Sequence, residues 1–145
     1  MFKNVVVGTD GSATASKAAE VAARLAKDWD ATLHIVVAYK SDISGMAAAS
    51  GAAMVDPGLH QGAQREVALQ VAAKAAESWA QGVKVEPHAV QDSPPDAILD
   101  TAKSVGADLI IVGSKGMRGA RRVLGSVPNS VAHGAECAVL IVKTD

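Results

Sequence analysis

The stretch GSKGMRGARRVLGSVPNSV, Gly113–Val131, carries four glycines, four cations and no acid. It directly follows ADLIIVG (Ala107–Gly113), an apolar run that reads as a buried strand. A core strand that empties into glycine-rich basic chain is a place where backbone can meet an anion. Glycine reaches positive φ and keeps no side chain in the way, so successive N–H groups can converge on one charge. Gly125-Ser126 opens a last helix, whose first N–H groups have no intrahelical partner and lie at the positive end of its dipole. Lys115, Arg118, Arg121 and Arg122 raise the local potential further. Together these features suit a phosphate. The competing reading is a surface loop whose glycines serve tight turns and whose cations are solvated.

The rest of the chain decides where that stretch lies. NVVVGTD (Asn4–Asp10) is a short β-branched run closed by glycine, a first buried strand. SATASKAAEVAARLAKD follows as a helix, with Ala18, Val21, Ala22 and Leu25 on one face. ATLHIVVAY (Ala31–Tyr39) is a second strand. Ser41–Gly62 has many alanines and glycines, no clear period and a Pro-Gly pair, and reads as a long mobile loop or lid. A helix is expected near Gln64–Trp79, with Val67, Val71, Ala75 and Trp79 inward. VKVEPHAV (Val83–Val90) is a third strand, and Pro87 argues for an edge position because proline cannot donate to a ladder.

SPPDAILDTAKSVG (Ser93–Gly106) has clear helix signals: Ser93 as N-cap, Pro94 at the first position, Asp96 as the capping-box acid and Gly106 as the stop. Ile98, Thr101, Ala102 and Val105 share its inner face. ADLIIVGS (Ala107–Ser114) is the fourth strand, apolar throughout and so central. A final helix begins near Ser126 or Pro128 and stops at Gly134, and AVLIVK (Ala138–Lys143) is the fifth strand.

The alternation βαβαβαβαβ calls for a doubly wound α/β fold, a five-stranded parallel sheet with helices on both faces. Right-handed crossovers then predict the order 3-2-1-4-5, with a switch point between strands one and four. Ligands in such sheets bind outside the carboxyl ends of the strands at that switch. The loops there are GTDGS (Gly8–Ser12) and GSKG (Gly113–Gly116). Neither a Walker A pattern nor G-x-G-x-x-G after the first strand is present.

Bulk properties narrow the function classes. The chain has 145 residues, 20% of them charged and 49% in the hydrophobic set, with a formal net charge of −1. One domain spanning 1–145 is expected. Nothing global draws the protein to nucleic acid or to a membrane. Cys137 is the single cysteine, which excludes an internal disulfide and favours a cytoplasmic setting. The first apolar run is too short for a signal h-region.

Asp10, between a strand and a glycine, reads either as a ligand or metal residue or as a turn-satisfying aspartate. Ser12 reads as a helix N-cap rather than a nucleophile. His34, His60, His88 and His133 are scattered without metal-ligand spacing and are assigned structural or surface roles. Cys137 reads as a small buried apolar group. Trp29 and Trp79 are expected to pack on the sheet or cover helix ends. No histidine–acid pair with a serine partner is legible, so no catalytic residue is assigned.

Three blocks carry a family resemblance: VVVGTDGS (Val5–Ser12), ADLIIVGSKG (Ala107–Gly116) and LGSVPNSVAHGAECAVLIVK (Leu124–Lys143). With them the chain resembles the universal stress proteins over essentially its whole length. The pattern of that family's nucleotide-binding branch is G-x2-G-x9-G-[ST]; this chain has eight residues between Gly116 and Gly125, one fewer.

The resemblance implies a Rossmann-like, adenine nucleotide alpha hydrolase-like fold. It also implies an adenine nucleotide in the crevice, ATP first, with AMP and cyclic AMP as the other candidates. Carried over, Gly113, Gly116, Gly125 and Ser126 hold phosphates and ribose, with Lys115 beside them and Ser114 and Val127 contributing backbone. Thr9 and Asp10 sit at the adenine and ribose end, Asp10 helping to hold a magnesium ion through the nucleotide. Ala38 lines the adenine pocket. The implied role is regulatory binding in a stress response.

Two alternatives stay open. One is a slow ATPase using Asp10 as metal ligand, although no general base is legible. The other is a nucleotide-free dimeric interaction protein, against which the intact glycine pattern speaks. The fifth strand has one neighbour in the expected order, and an apolar edge needs cover. Pairing with a second copy through Ala138, Val139, Leu140, Ile141, Val142 and Lys143 provides it, and the resemblance implies the same homodimer.

Overall fold

A computed structural model describes residues 1–40, 57–114 and 125–144. Strands and helices alternate along the chain: β1 (Asn4–Gly8), α1 (Ala13–Asp28), β2 (Thr32–Tyr39), α2 (Pro57–Trp79), β3 (Lys84–Gln91), α3 (Pro94–Val105), β4 (Leu109–Gly113), α4 (Ser126–Gly134) and β5 (Ala138–Val142). All pairings are parallel, and the sheet order is β3-β2-β1-β4-β5, as the alternation predicts. Pro87 does lie in an edge strand.

The apolar strands divide between two cores because side chains alternate in direction along a strand. Val5, Val7, Leu33, Ile35, Val37, Leu109 and Ile111 face α1 and α2. Val6, Val36, Ile110 and Val112 face α3 and α4. Val5, Val6 and Val7 are all fully buried, so β1 is covered on both faces as well as bonded on both sides.

On the first face the helices present alanines: Ala18, Ala19, Ala22, Ala23 and Ala26 from α1, and Ala68 and Ala72 from α2. Small side chains let helix backbones approach the sheet closely. Two expectations for α2 need correction. It begins at Pro57, so Pro57–Gly62 is helical rather than loop, and the remainder of the proposed lid, 41–56, lies outside the described residues. Its inward face is the Ala68–Ala72 line, while Val67 is 59% exposed and Trp79 41% exposed. Alanines on that line let α2 lie close on β2 and β3, with Val71 and Ala75 packed at its margin. Trp29 behaves as expected: it ends α1 and meets Phe2 edge-on, ring centroids 4.7 Å apart.

Local signals place the turns around the site. Ser12 caps α1 by accepting from Ala15 N at 3.2 Å. Ser93 accepts from Asp96 N at 3.4 Å and donates to Asp96 Oδ2 at 2.7 Å, with Pro94 at the helix start. Gly106 closes α3 with φ of 62°, a conformation that favours glycine. Asp108 holds the leading ends of β1 and β4 together, its Oδ2 accepting from Lys3 N at 2.7 Å and Asn4 N at 2.9 Å. Those bonds, the Asn4 one foremost, hold its carboxyl below the ordinary carboxylate range.

The sheet brings two of the histidines together. His34 and His88, 54 residues apart in sequence, are neighbours, with His34 Nδ1 3.0 Å from His88 Nε2. The cause is register: β2 and β3 pair over their full lengths, setting His34 opposite Glu86 and Val36 opposite His88. Burial lowers the pKa of both imidazoles.

Two outcomes follow for stability. Ser93→Ala, by removing the α3 cap, lowers the unfolding free energy by about 1 kcal/mol in urea titrations. Asp108 binds its proton less readily in the folded chain than in the unfolded one. Its stabilisation is therefore full above the unfolded carboxylate range and is lost as pH falls through the lowered folded value. Urea midpoints measured from pH 5 downward fall less steeply for Asp108→Ala than for the parent chain (a range of about 2 pH units around the carboxylate pKa suffices).

Candidate functional site

A crevice of about 430 Å³ opens at the carboxyl ends of β1 and β4, where the chain order reverses. Its size falls in the range of about 300–1,000 Å³ common for small-molecule sites. One rim is the turn after β1. Thr9 is buried there, and its N–H donates to Val36 O at 3.0 Å. Thr9 Oγ1 accepts from Gly11 N at 3.2 Å, and Asp10 Oδ1 accepts from Ser12 N at 2.9 Å. Gly11, with φ of +79°, makes the sharp change of direction into α1. Asp10 itself is exposed at the mouth, so its carboxylate both shapes the turn and faces the crevice.

The opposite rim is Gly113 and the start of α4. Gly125 precedes that helix in extended conformation, φ −57° and ψ 159°, and makes no side-chain capping bond. The first helical bond runs from Asn129 N to Gly125 O, and Pro128 has no N–H. The N–H groups of Ser126 and Val127 thus belong to an uncapped helix start that lines the crevice. Between the rims the walls are apolar: Val36, Ala38, Ile98, Val112 and Val127. The arrangement is a slot with greasy sides and N–H donors at one end, suited to a flat heterocycle carrying an anion.

Of the residues singled out in the sequence, Thr9, Asp10, Ala38, Gly113, Gly125, Ser126 and Val127 all line this crevice. Lys115 and Gly116 lie outside the described residues, as do Arg118, Arg121 and Arg122. Ser114 is buried behind the wall. Its N–H donates to Val142 O at 2.9 Å and its Oγ accepts from Thr144 N at 3.1 Å.

Several crevice residues escaped the sequence reading. Val36 was within reach, since it shares a sheet face with Ala38. Pro94 and Ile98, from the first turns of α3, form the wall because that helix starts after the carboxyl end of β3. Thr144 carried no signal. It is buried beside Gly113, and its carbonyl accepts from Lys17 Nζ at 3.1 Å, which brings an ammonium group beside the crevice. Cys137 is half-buried against the α3–α4 core, and burial pushes its thiol pKa up, as expected for a packing residue.

Comparison with known proteins sets this geometry in context. The universal stress protein family model matches residues 1–143. The chain is 35% identical to the universal stress protein MJ0531 of Methanocaldococcus jannaschii, over 99% of this chain and 83% of that protein. It is 33% identical to the universal stress protein YxiE of Bacillus subtilis, over 99% of this chain and the whole of that protein. Among solved structures, a universal stress protein in complex with cAMP matches with a TM-score of 0.72 at 33% identity, covering 99% of this chain and 98% of that one. An Archaeoglobus fulgidus universal stress protein in complex with dAMP shares the fold, with a TM-score of 0.61 at 22% identity over 97% and 98% of the two chains. No helix among the described residues is long and apolar enough to cross a membrane.

Gly113 has a packing reason of its own. A Cβ there would stand 2.9 Å from Thr144 Cγ2. Gly113→Val therefore destabilises the chain by about 1–3 kcal/mol through overpacking. Thr144→Ala removes the methyl it strikes, so the double variant recovers part of that loss in urea unfolding.

Proposed function

Because the chain belongs to the universal stress protein family, a membership shown by the match over residues 1–143, we propose that its crevice binds an adenine nucleotide and that the protein acts by binding rather than by turnover. The base lies between the apolar walls, against Val36 and Ala38, with Thr9 at its inner end. The phosphates lie at Gly113, Gly125 and the N–H groups of Ser126 and Val127, where the helix dipole favours negative charge. The observation that supports this most directly is the uncapped α4 start facing an apolar slot. The relative crystallised with cAMP, similar over 99% of this chain, supports the adenine class. We assign ATP as the first candidate, followed by AMP and cyclic AMP, with Lys115 and Gly116 beside the phosphates.

Asp10 fits a magnesium ion held through the nucleotide. It is the acidic side chain that lines the crevice among the described residues, and magnesium is commonly held by one or two carboxylates together with phosphate oxygens. When bound, the ion would neutralise phosphate charge. Asp10 would orient it from the mouth of the slot while continuing to hold the Ser12 turn.

The proposed setting is cytoplasmic, the proposed unit one domain, and the proposed assembly a homodimer through β5. Leu140 is 37% exposed on that edge strand, and a two-fold contact between copies would cover it.

Thermal melting tests the ligand. ATP at about 100 times its dissociation constant adds ~2.7 kcal/mol to the unfolding free energy and raises Tm by several degrees. Ala38→Phe, which fills the slot, abolishes that rise while keeping the parent melting profile without nucleotide. The same screen run with AMP and cyclic AMP, each with and without magnesium, ranks the three. No shift with any of them defeats the reading.

A further inference from the structure

Away from the crevice, the β2–β3 edge gathers three metal-binding side chains on one face. His34 lies two residues before the crevice residue Val36 on β2, about 7 Å back along the strand, and none of the three side chains lines the nucleotide slot. We propose that His34, Glu86 and His88 form a binding site for a divalent transition-metal ion of the zinc class.

Register makes the cluster. Glu86 is opposite His34, and His88 is two residues further along β3, so the period of two puts all three side chains on the same face. His34 Nδ1 is 3.0 Å from His88 Nε2 and 3.5 Å from Glu86 Oε2. The three ligand atoms all lie within 4.8 Å of one another. Donors held about 2.0–2.1 Å from a tetrahedral ion stand roughly 3.3–3.4 Å apart, so adjustments of at most about 1.5 Å bring these atoms onto one ion. Glu86 and His88 stand on the exposed edge strand and can make them.

The tautomer of His34 is also set for ligation. Its Nε2 lies 3.2 Å from Asn4 Oδ1, which can only accept. His34 therefore carries its proton on Nε2, and the Nδ1 lone pair points at Glu86 and His88. A ligand imidazole whose second nitrogen donates to a fixed oxygen is the usual outer-shell arrangement of metal sites. Without metal, His88 Nε2–H donates to that lone pair. With metal, the His88 proton moves to its Nδ1 and Nε2 becomes a ligand, with no net proton change.

The donor set selects the ion. Two imidazoles and one carboxylate suit zinc, cobalt or nickel, whereas calcium and magnesium prefer all-oxygen shells. Three protein ligands leave a fourth position, and Glu86, whose side chain is 48% exposed, opens it to water. Lys84 opposes the ion: its Nζ is 3.8 Å from Glu86 Oε1 and must swing away, which its 73% exposed side chain permits. The ion would clip the edge strand β3 to its neighbour β2 through side chains from both.

The full chain, stripped with chelator, is titrated with zinc chloride by calorimetry and with cobalt chloride by visible absorption. One equivalent of zinc is expected, with cobalt giving the intense bands of a four-coordinate site. His88→Gln and Glu86→Gln, both on the exposed edge strand, each weaken zinc at least 10-fold, whereas Lys84→Ala tightens it. His133→Gln and Cys137→Ser leave it unchanged. Long-range proton–nitrogen spectra show His34 Nδ1 and His88 Nε2 shifting on zinc addition. Absence of a saturable equivalent at about 100 times the protein concentration overturns the proposal, as does zinc affinity that is the same in His88→Gln as in the parent chain.

Discussion

The parallel bonding of β1 to β2 on one side and to β4 on the other is the constraint on which the rest of the molecule depends. Three consecutive valines, buried on both faces, make β1 the axis of the sheet. The chain leaves that axis in one direction to build β2 and β3, then returns to the other side for β4 and β5. The chain therefore leaves β1 and β4 in diverging directions, and among the described residues no crossover helix fills the space between their ends. The crevice is a consequence of this reversal rather than of any one side chain. The side chains decide what it suits: valine, alanine and isoleucine for the walls, glycine and an uncapped helix start for the far rim.

The far rim is also tied to the edge of the sheet. Ser114 N bonds to Val142 O, Ser114 Oγ accepts from Thr144 N, and Gly113 leaves the space that Thr144 fills. Lys17 closes the set from α1 through the Thr144 carbonyl. The residues that bound the crevice and those that end β5 thus form one bonded group.

Much of this was legible because the punctuation is local. Ser12, Ser93, Pro94 and Gly106 mark helix ends by chemistry that acts within four residues, and each signal matched the structure. Strand order followed from alternation and handedness, and the crevice from strand order. What stayed hidden depends on distance in the chain or on small volumes. The inward face of α2 is set by how closely its alanines fit on β2 and β3, which favours Ala72 over Val67 although hydropathy alone favours the valine. His34 and Glu86 meet because of a register that no local signal encodes. Thr144 reaches the crevice wall only because β5 ends beside β4.

Pro87 gives the sheet an asymmetry between its two rims. In the middle of β3 it leaves one rung of the outer ladder without a hydrogen donor, and the exposed Glu86 beside it resists burial under an added strand. The β5 rim, which carries no proline, keeps its full complement of amides. A sheet that can be extended from one side alone cannot grow into a ribbon. Whatever joins the open rim terminates the array, so the molecule is protected from fibril-like growth by its geometry at one blocked margin.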